Sequence, residues 1–307
     1  MQGLWEDSRG RLCYKDFWED SRGRLCYKKR LPMGSMASDK SETMARLAGG
    51  RCWVQAGFLL AWLDPLMIRM HAVCGPVFHC YSCPLATFAC PIGVLANFAA
   101  LGMIPFAALG TLVVVGAVFG SFVCGWACPF GFLQDVVAWI PTRKFTLPAW
   151  MGGLRYVVLA AFVVAIPFFW GEAHPLFICR LCPAGAIEAA LPNVARLAIA
   201  GEPIVWPTAT KITILVLISI AALFTWRPWC TLFCPLGAIY GLMNHVSLLF
   251  LHFHGDRCRD CERCRNLCLD GGRPERRVDG LRCVRCLECT RCRAVTVETV
   301  FTPVDKT

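Results

Sequence analysis

Four stretches of the chain run almost without polar side chains, at about residues 53–70, 105–124, 154–170 and 209–226, with glycine-, proline- and charge-bearing segments between them. Each is about as long as a helix must be to cross a hydrocarbon core about 30 Å thick, so the pattern predicts four transmembrane helices. The first departs from the rest. Asp64, Pro65 and Arg69 fall in its second half, where charge is expected at the membrane interface rather than at the bilayer centre. Tryptophans 150, 170, 206, 226 and 229 stand near the ends of these stretches, as amphipathic rings do at a membrane boundary. No apolar core precedes residue 53, so no cleavable leader is expected.

Composition agrees with this reading. Of 307 residues 56% are hydrophobic and 17% charged, with a mean hydropathy of +0.52, too apolar for an ordinary soluble domain of this length. Positive charges set the orientation. Lys40, Arg46 and Arg51 precede the first stretch, Arg143 and Lys144 lie between the second and third, and an arginine-dense tail follows the fourth. These sides, with both termini, are assigned to the cytoplasm, and the loops near 71–104 and 171–208 to the outside. The net charge of +10 does not imply a nucleic-acid partner, because thiolate-held clusters are anionic and nearby arginines can compensate them.

The first thirty residues contain a verbatim repeat, WEDSRGRLCYK at 5–15 and again at 18–28. It reads as a recent duplication or as translated upstream sequence, with the working start nearer Met33, Met36 or Met44. Residues 1–50 are therefore expected to be a disordered extension, and Cys13 and Cys26 receive no role.

The 21 cysteines carry the chemistry. Their short local spacings suit metal or cluster ligation better than a framework of long-range disulfides. In the apolar part they read FHCYSCPLA (78–86), ACPIG (89–93), VCGWACPFG (123–131), FICRLCPAG (177–185) and WCTLFCPLG (229–237). A C-x2-C-P is followed by a C-x3-C-P, and the order then repeats, so residues 51–150 and 151–254 read as two copies of one unit. An iron-sulfur cluster wants four thiolates and each half supplies two on a given face. Packed about a pseudo-twofold axis, the halves would gather Cys124, Cys128, Cys230 and Cys234 at an inner site, and Cys80, Cys83, Cys179 and Cys182 at an outer one. Cys90 is an alternative outer ligand, because its CPIG matches CPAG as well as CPLA does. An outer disulfide relay stays open beside the cluster reading. Cys52 and Cys74 have no partner spacing and are read as core or bystander residues.

From 258 the chain reads CRDCERCRNLC and from 283 CVRCLECTRC, eight cysteines in the pattern of a two-cluster ferredoxin with two 4Fe-4S clusters. In such domains the fourth cysteine of each run ligates the other cluster. Carried over, Cys258, Cys261, Cys264 and Cys292 hold one cluster, and Cys283, Cys286, Cys289 and Cys268 the other. The second run is one residue short before Cys292, and no proline follows either fourth cysteine. Zinc is the competing metal for such spacings, but eight thiolates without a suitably spaced histidine favour iron-sulfur.

CGWACPFGFLQD, CTLFCPLGAIYG and the paired runs resemble the membrane polyferredoxins of the NapH and MauN type, related to the C-terminal parts of NosR and CcoG. The resemblance covers roughly residues 50–300. It implies a multi-pass protein of the bacterial inner membrane with C-x3-C-P motifs at the cytoplasmic face. A ferredoxin domain would pass electrons between a quinol or cytoplasmic donor and redox-protein partners. The expected fold class is a mostly α membrane protein, four transmembrane helices in two pseudo-symmetric halves plus a small α+β ferredoxin-like domain at 255–307. The expected function is electron transfer between tail clusters, one or two membrane clusters, and a quinone or external redox partner. The alternatives are a membrane thiol-disulfide oxidoreductase using quinone, or an assembly or metal-reducing accessory protein. No histidine lies at the centre of a predicted span, which argues against a haem relay; Glu172, His174 and Glu188 are candidates for handling quinone protons.

Overall fold

The computed structural model describes residues 5–6, 12–13, 50–60, 74–77, 80, 88–204, 206–258, 263–274, 278, 280–292 and 294–301. Two compact units divide the chain, Met1–Ser38 and Asp39–Thr307. In the first, β1 (Trp5–Glu6) and β2 (Leu12–Cys13) pair antiparallel within one copy of the repeat, with Trp5 opposite Cys13. Most of the extension, including Cys26, lies outside the described residues.

The second unit is mostly helical. Its first helix, α1, covers residues 50–60; Asp64, Pro65 and Arg69 lie outside the described residues. The longest helix, α6 (Trp150–Trp170), is the one helix among the described residues that is both long and apolar enough to cross a membrane. It passes through a π-helical segment at Leu159–Ala165 and still accommodates Pro167; the widened ladder falls where the proline removes a hydrogen bond. Gly171, at φ 74°, ends it.

The other two expected spans are shorter. α3 (Phe106–Phe119) has 14 residues and α10 (Ala209–Phe224) has 16, roughly 21 Å and 24 Å at 1.5 Å per residue. Neither alone matches a core of about 30 Å. Their outward faces are nonetheless apolar, with Phe106 and Val114 on α3, Leu217 and Ile220 on α10, and Phe168 and Phe169 on α6 all exposed.

Between these helices lie short ones that the hydropathy pattern does not resolve: α2 (Pro91–Ala100), α4 (Phe122–Trp126), α5 (Pro129–Ala138), α7 (Ile178–Leu181), α8 (Pro183–Gly185), α9 (Leu191–Ala200), α11 (Pro228–Leu232) and α12 (Pro235–Met243). A π-helical turn, Ala186–Ala190, joins α8 to α9. α2 lies along α6 and α3, α5 and α8 pack on α10, and α12 packs on α3 and α6. One apolar core results, centred on Ile92, Ala96, Leu112, Val163, Leu236 and Tyr240, all nearly fully buried.

The tail belongs to the same compact unit. Its strands β3 (Leu249–Phe253) and β4 (Val295–Thr299) pair antiparallel, with Leu251 opposite Val297, and α13 (Arg263–Leu267) lies between them in sequence. Leu251, Cys264, Leu287, Cys289 and Val295 form its core, against which Phe122 and Trp126 of α4 pack.

Candidate metal centre

The repeated C-P-x-G segment has one structural meaning at four places. Cys90, Cys128, Cys182 and Cys234 are the N-caps of α2, α5, α8 and α12, each with extended φ and ψ near −70° and 117° and a proline at the first helical position. Proline suits that position because its fixed φ is helical and the missing N–H has no intrahelical acceptor there. The cysteine sulfur takes the place usually held by a serine or aspartate oxygen. Gly185 donates its N–H to Cys182 Sγ, and Gly237 to Cys234 Sγ, each at 3.4 Å. At Cys90 and Cys128 the N–H groups of Gly93 and Gly131 face the thiol in a looser version of the same turn. A helix N-terminus that presents N–H groups favours a thiolate.

Cys124, Cys128, Cys230 and Cys234 are all buried, and each lies within electrostatic reach of others in the set. The two halves are built alike around them. A side chain at Gly131 would meet the Cys124 carbonyl at 3.2 Å, and one at Gly237 would meet the Cys230 carbonyl at the same distance. Two buried arginines flank these turns, Arg227 beside Gly131 and Arg155 beside Gly237. Arg227 donates to the Cys124 carbonyl at 2.9 Å and forms a fork on Asp135, with Nε to Oδ1 at 2.7 Å. Asp135 also pairs with Arg51 at 3.2 Å.

One residue of the inner group was not singled out by its sequence. Gln134 donates Nε2–H to Cys230 Sγ at 3.2 Å, and its Oε1 accepts the Trp229 N–H at 3.2 Å. The signal was present in the segment CGWACPFGFLQD, six positions after Cys128, but only the fold brings that position to the other half.

At the outer group the structure brings together Cys80, Cys90, Cys179 and Cys182; Cys83 lies outside the described residues. Cys80 donates its backbone N–H to Glu188 Oε2 at 3.1 Å. The charge of Glu188 also bears on Cys128 of the inner group, so this carboxylate borders both sets. Cys90, Cys124, Cys128 and Cys234 share one core, with Cys179 and Cys182 packed on it. A cavity of about 340 Å³ opens beside Cys179, lined also by Lys211, Arg180, Asn97, Phe177 and Glu172.

In the tail, Cys268 of the first run groups with Cys286 and Cys289 of the second, and Cys283 packs on the same core. Burial, with the neighbouring Cys286 thiol and Asp270, pushes the Cys268 thiol up to about 11. Backbone N–H groups point at sulfur here too, from Gly272 to Cys268 at 3.2 Å and from Arg285 to Cys283 at 3.4 Å. Cys264 and Cys292 also join the core, Cys258 is half-buried after β3, and Cys261 lies outside the described residues.

The segment Gly280–Cys286 rests on α4, which carries Cys124, and on α12, which Cys234 caps. Ser121 and Asn244 both donate to the Cys283 carbonyl, at 2.6 Å and 3.0 Å. Trp126 donates to the Arg285 carbonyl at 3.1 Å. Arg285 is fully buried, donates to the carbonyls of Phe119 and Asn244 at 3.0 Å each, and lies over the Phe122 ring.

Among the described residues no three His, Cys, Asp or Glu side chains close on one point that would hold a single ion. Four thiolates on one zinc would stand roughly 3.8 Å apart, given bonds of about 2.3 Å. Sulfurs spread over the corners of an iron-sulfur cluster stand farther apart. The inner donor set, four thiols with N–H donors and two arginines, fits such a cluster.

The family model of a 4Fe-4S binding domain matches residues 101–148 and 210–253, the two segments that carry the C-x3-C-P motifs. Among curated relatives, the putative electron transport protein YccM of Escherichia coli is 28% identical over 172 residues, 52% of this chain and 44% of the relative. The ferredoxin-type protein NapH of Haemophilus influenzae is 29% identical over 167 residues, 51% of this chain and 50% of the relative. The methylamine utilization ferredoxin-type protein MauN of Methylorubrum extorquens is 26% identical over 194 residues, 61% of this chain and 57% of the relative. The matches thus span about half the length of these relatives. No solved structure matches. In cap geometry, thiol grouping and sequence the chain is similar to ferredoxin-type 4Fe-4S binding proteins. Within that class its likeness is to the ferredoxin-type proteins NapH and MauN.

Proposed function

We propose that the chain is a membrane electron-transfer subunit. Its tail clusters would exchange single electrons with a cluster at Cys124, Cys128, Cys230 and Cys234, and through it with a quinone or an external redox partner. Iron-sulfur clusters supply one-electron chemistry at potentials that the surrounding hydrogen bonds and burial tune. The observation that carries the reading is the seating of Gly280–Cys286 on α4, which carries Cys124, and on α12, which Cys234 caps, held by Ser121, Asn244 and Arg285. On this reading a cluster at Cys268, Cys283, Cys286 and Cys289 would exchange electrons directly with the inner site, and a cluster at Cys258, Cys261, Cys264 and Cys292 would stand one step earlier on the path.

The exposed apolar faces of α3, α6 and α10 support a lipid surround, with residues 51–150 and 151–254 as the two membrane halves and 255–307 as the ferredoxin-like part. α3 and α10 would complete their crossings with the helices and turns that follow them. We assign both termini to the cytoplasmic side of a bacterial inner membrane, on the charge pattern.

Paramagnetic resonance of the full chain, reduced stepwise in detergent without oxygen, tests the reading. The inner and nearest tail centres should broaden each other when both are reduced. Cys124→Ser should remove one signal and that broadening while the tail signals stay. Unbroadened signals in the intact chain would overturn the proposed adjacency.

A further inference from the structure

We propose that Cys80, Cys90, Cys179 and Cys182 hold a second membrane iron-sulfur cluster, with Cys90 rather than Cys83 as its fourth ligand. These thiols lie outside the segments matched by the 4Fe-4S family model. The inference stands beside the proposed electron path and extends it outward.

Three features carry it. The first is the cap: Cys90 and Cys182 repeat the extended N-cap and following proline of Cys128 and Cys234. The glycine of the motif, with its N–H facing the sulfur, is Gly93 after Cys90 and Gly185 after Cys182. CPLA after Cys83 has alanine at that position. The second is convergence. A side chain at Gly185 would meet Cys80 Sγ at 3.4 Å, so the absence of one brings Cys80 against the Cys182 turn. Gly75 donates to the Ala89 carbonyl at 2.9 Å and residue 74 bridges to 89, which ties down the chain just before Cys90. Cys90 is buried in the same core on which Cys179 and Cys182 pack. The third is charge. Lys211 Nζ would lie 3.2 Å from a side chain at Gly185, and its charge bears on Cys179, a cation placed as Arg227 is at the inner site.

Glu188 joins the two sites, since it accepts the Cys80 N–H and its charge reaches Cys128. The short capped helices therefore carry both thiol groups into one core, which shortens the path across a hydrocarbon layer of about 30 Å. Electrons would pass one at a time from the inner cluster to the outer one and leave beside Cys179, the ligand that lines the cavity.

Iron and acid-labile sulfide, counted per full chain purified without oxygen, test the proposal. We expect about sixteen irons, four per cluster. Cys90→Ser should lose about four with the inner and tail signals retained, and Cys83→Ser and Cys74→Ser should lose none. In the iron-loaded chain Cys179 should resist iodoacetamide and become reactive only after chelation, a readout that does not depend on any variant folding. A count near twelve, with Cys90→Ser unchanged and Cys179 alkylated in the loaded chain, overturns the outer cluster and leaves the inner one standing. Iron lost from Cys83→Ser but not from Cys90→Ser overturns the ligand assignment. A count near eight, unchanged by Cys124→Ser as well, would remove the inner cluster too.

Discussion

Gln134 and Cys230 come from the two separate C-x3-C-P segments, and the amide N–H of the first points at the sulfur of the second at 3.2 Å. The amide orientation follows from its other contact, because Trp229 offers a backbone N–H and only the oxygen can accept it. In the second half the equivalent position, six residues after Cys234, is Tyr240, whose hydroxyl donates instead to the Pro76 carbonyl at 2.7 Å. The likeness of the two C-x3-C-P segments thus ends at the hydrogen bonds to sulfur, and Cys230 receives a donor that its counterpart Cys124 does not receive from Tyr240.

An N–H donor on a ligand sulfur stabilises the more negative, reduced state. Gln134→Leu should therefore lower the midpoint of the inner centre by about 59 mV, tenfold in a one-electron equilibrium. Gln134→Glu should lower it further, since it replaces the donor with a negative charge. Potentiometric titration followed by paramagnetic resonance reads both, and an unchanged midpoint in the leucine variant sinks the assignment.

Arg285 holds the tail on the inner group through two carbonyls, those of Phe119 and Asn244. Charge-assisted hydrogen bonds contribute about 1.5 kcal/mol or more each, so Arg285→Ala should weaken the docking by about 3 kcal/mol. Amide exchange in residues 280–286 should then rise roughly 100-fold, while β3 and β4 keep their protection. Arg285→Lys should restore little, because an ammonium cannot span two carbonyls as a planar fork does.

Asp135 is buried between two guanidiniums, Arg227 and Arg51. Removing this carboxylate leaves charge uncompensated in an apolar surround, at a cost of about 3–5 kcal/mol. Asp135→Asn should lower the thermal midpoint in detergent accordingly. Asp135→Leu combined with Arg227→Leu should recover part of the loss, and equal destabilisation by the single and double variants would contradict a paired role.

Much of the site was legible because metal ligation constrains spacing. C-P-x-G fixes a capped helix from local chemistry alone, and the structure shows that cap at Cys90, Cys128, Cys182 and Cys234. Hydropathy located α6 but was less informative at α3 and α10, which are shorter than the apolar stretches that contain them. A window average cannot separate a helix from the turn and short helix that continue its apolar run, as Gly120 and α4 continue α3. Partners far apart in sequence were silent. Nothing around Gln134 signals Cys230, and nothing in the spacing of the tail reveals that Arg285 is its bolt. The six histidines offered no such signal either; His254 pairs with Glu298 across β3 and β4 at 3.0 Å.

Two glycines separate the docking of the tail from the integrity of the inner group. At Gly125 a side chain would run into the Val284 carbonyl of the tail, whereas at Gly237 it would meet the Cys230 carbonyl inside the site at 3.2 Å. Gly125→Ala should therefore lift Gly280–Cys286 while leaving the iron content unchanged, and the broadening between inner and tail signals should vanish. Gly237→Ala should act the other way. Its methyl presses the two cysteine-bearing turns apart, an overpacking cost of about 1–3 kcal/mol, so about four irons should be lost on mild chelation before the tail centres respond. If Gly125→Ala lost iron first, the tail would be part of the inner site rather than a module seated on it, and the order of electron transfer proposed above would have to be rebuilt from a shared centre.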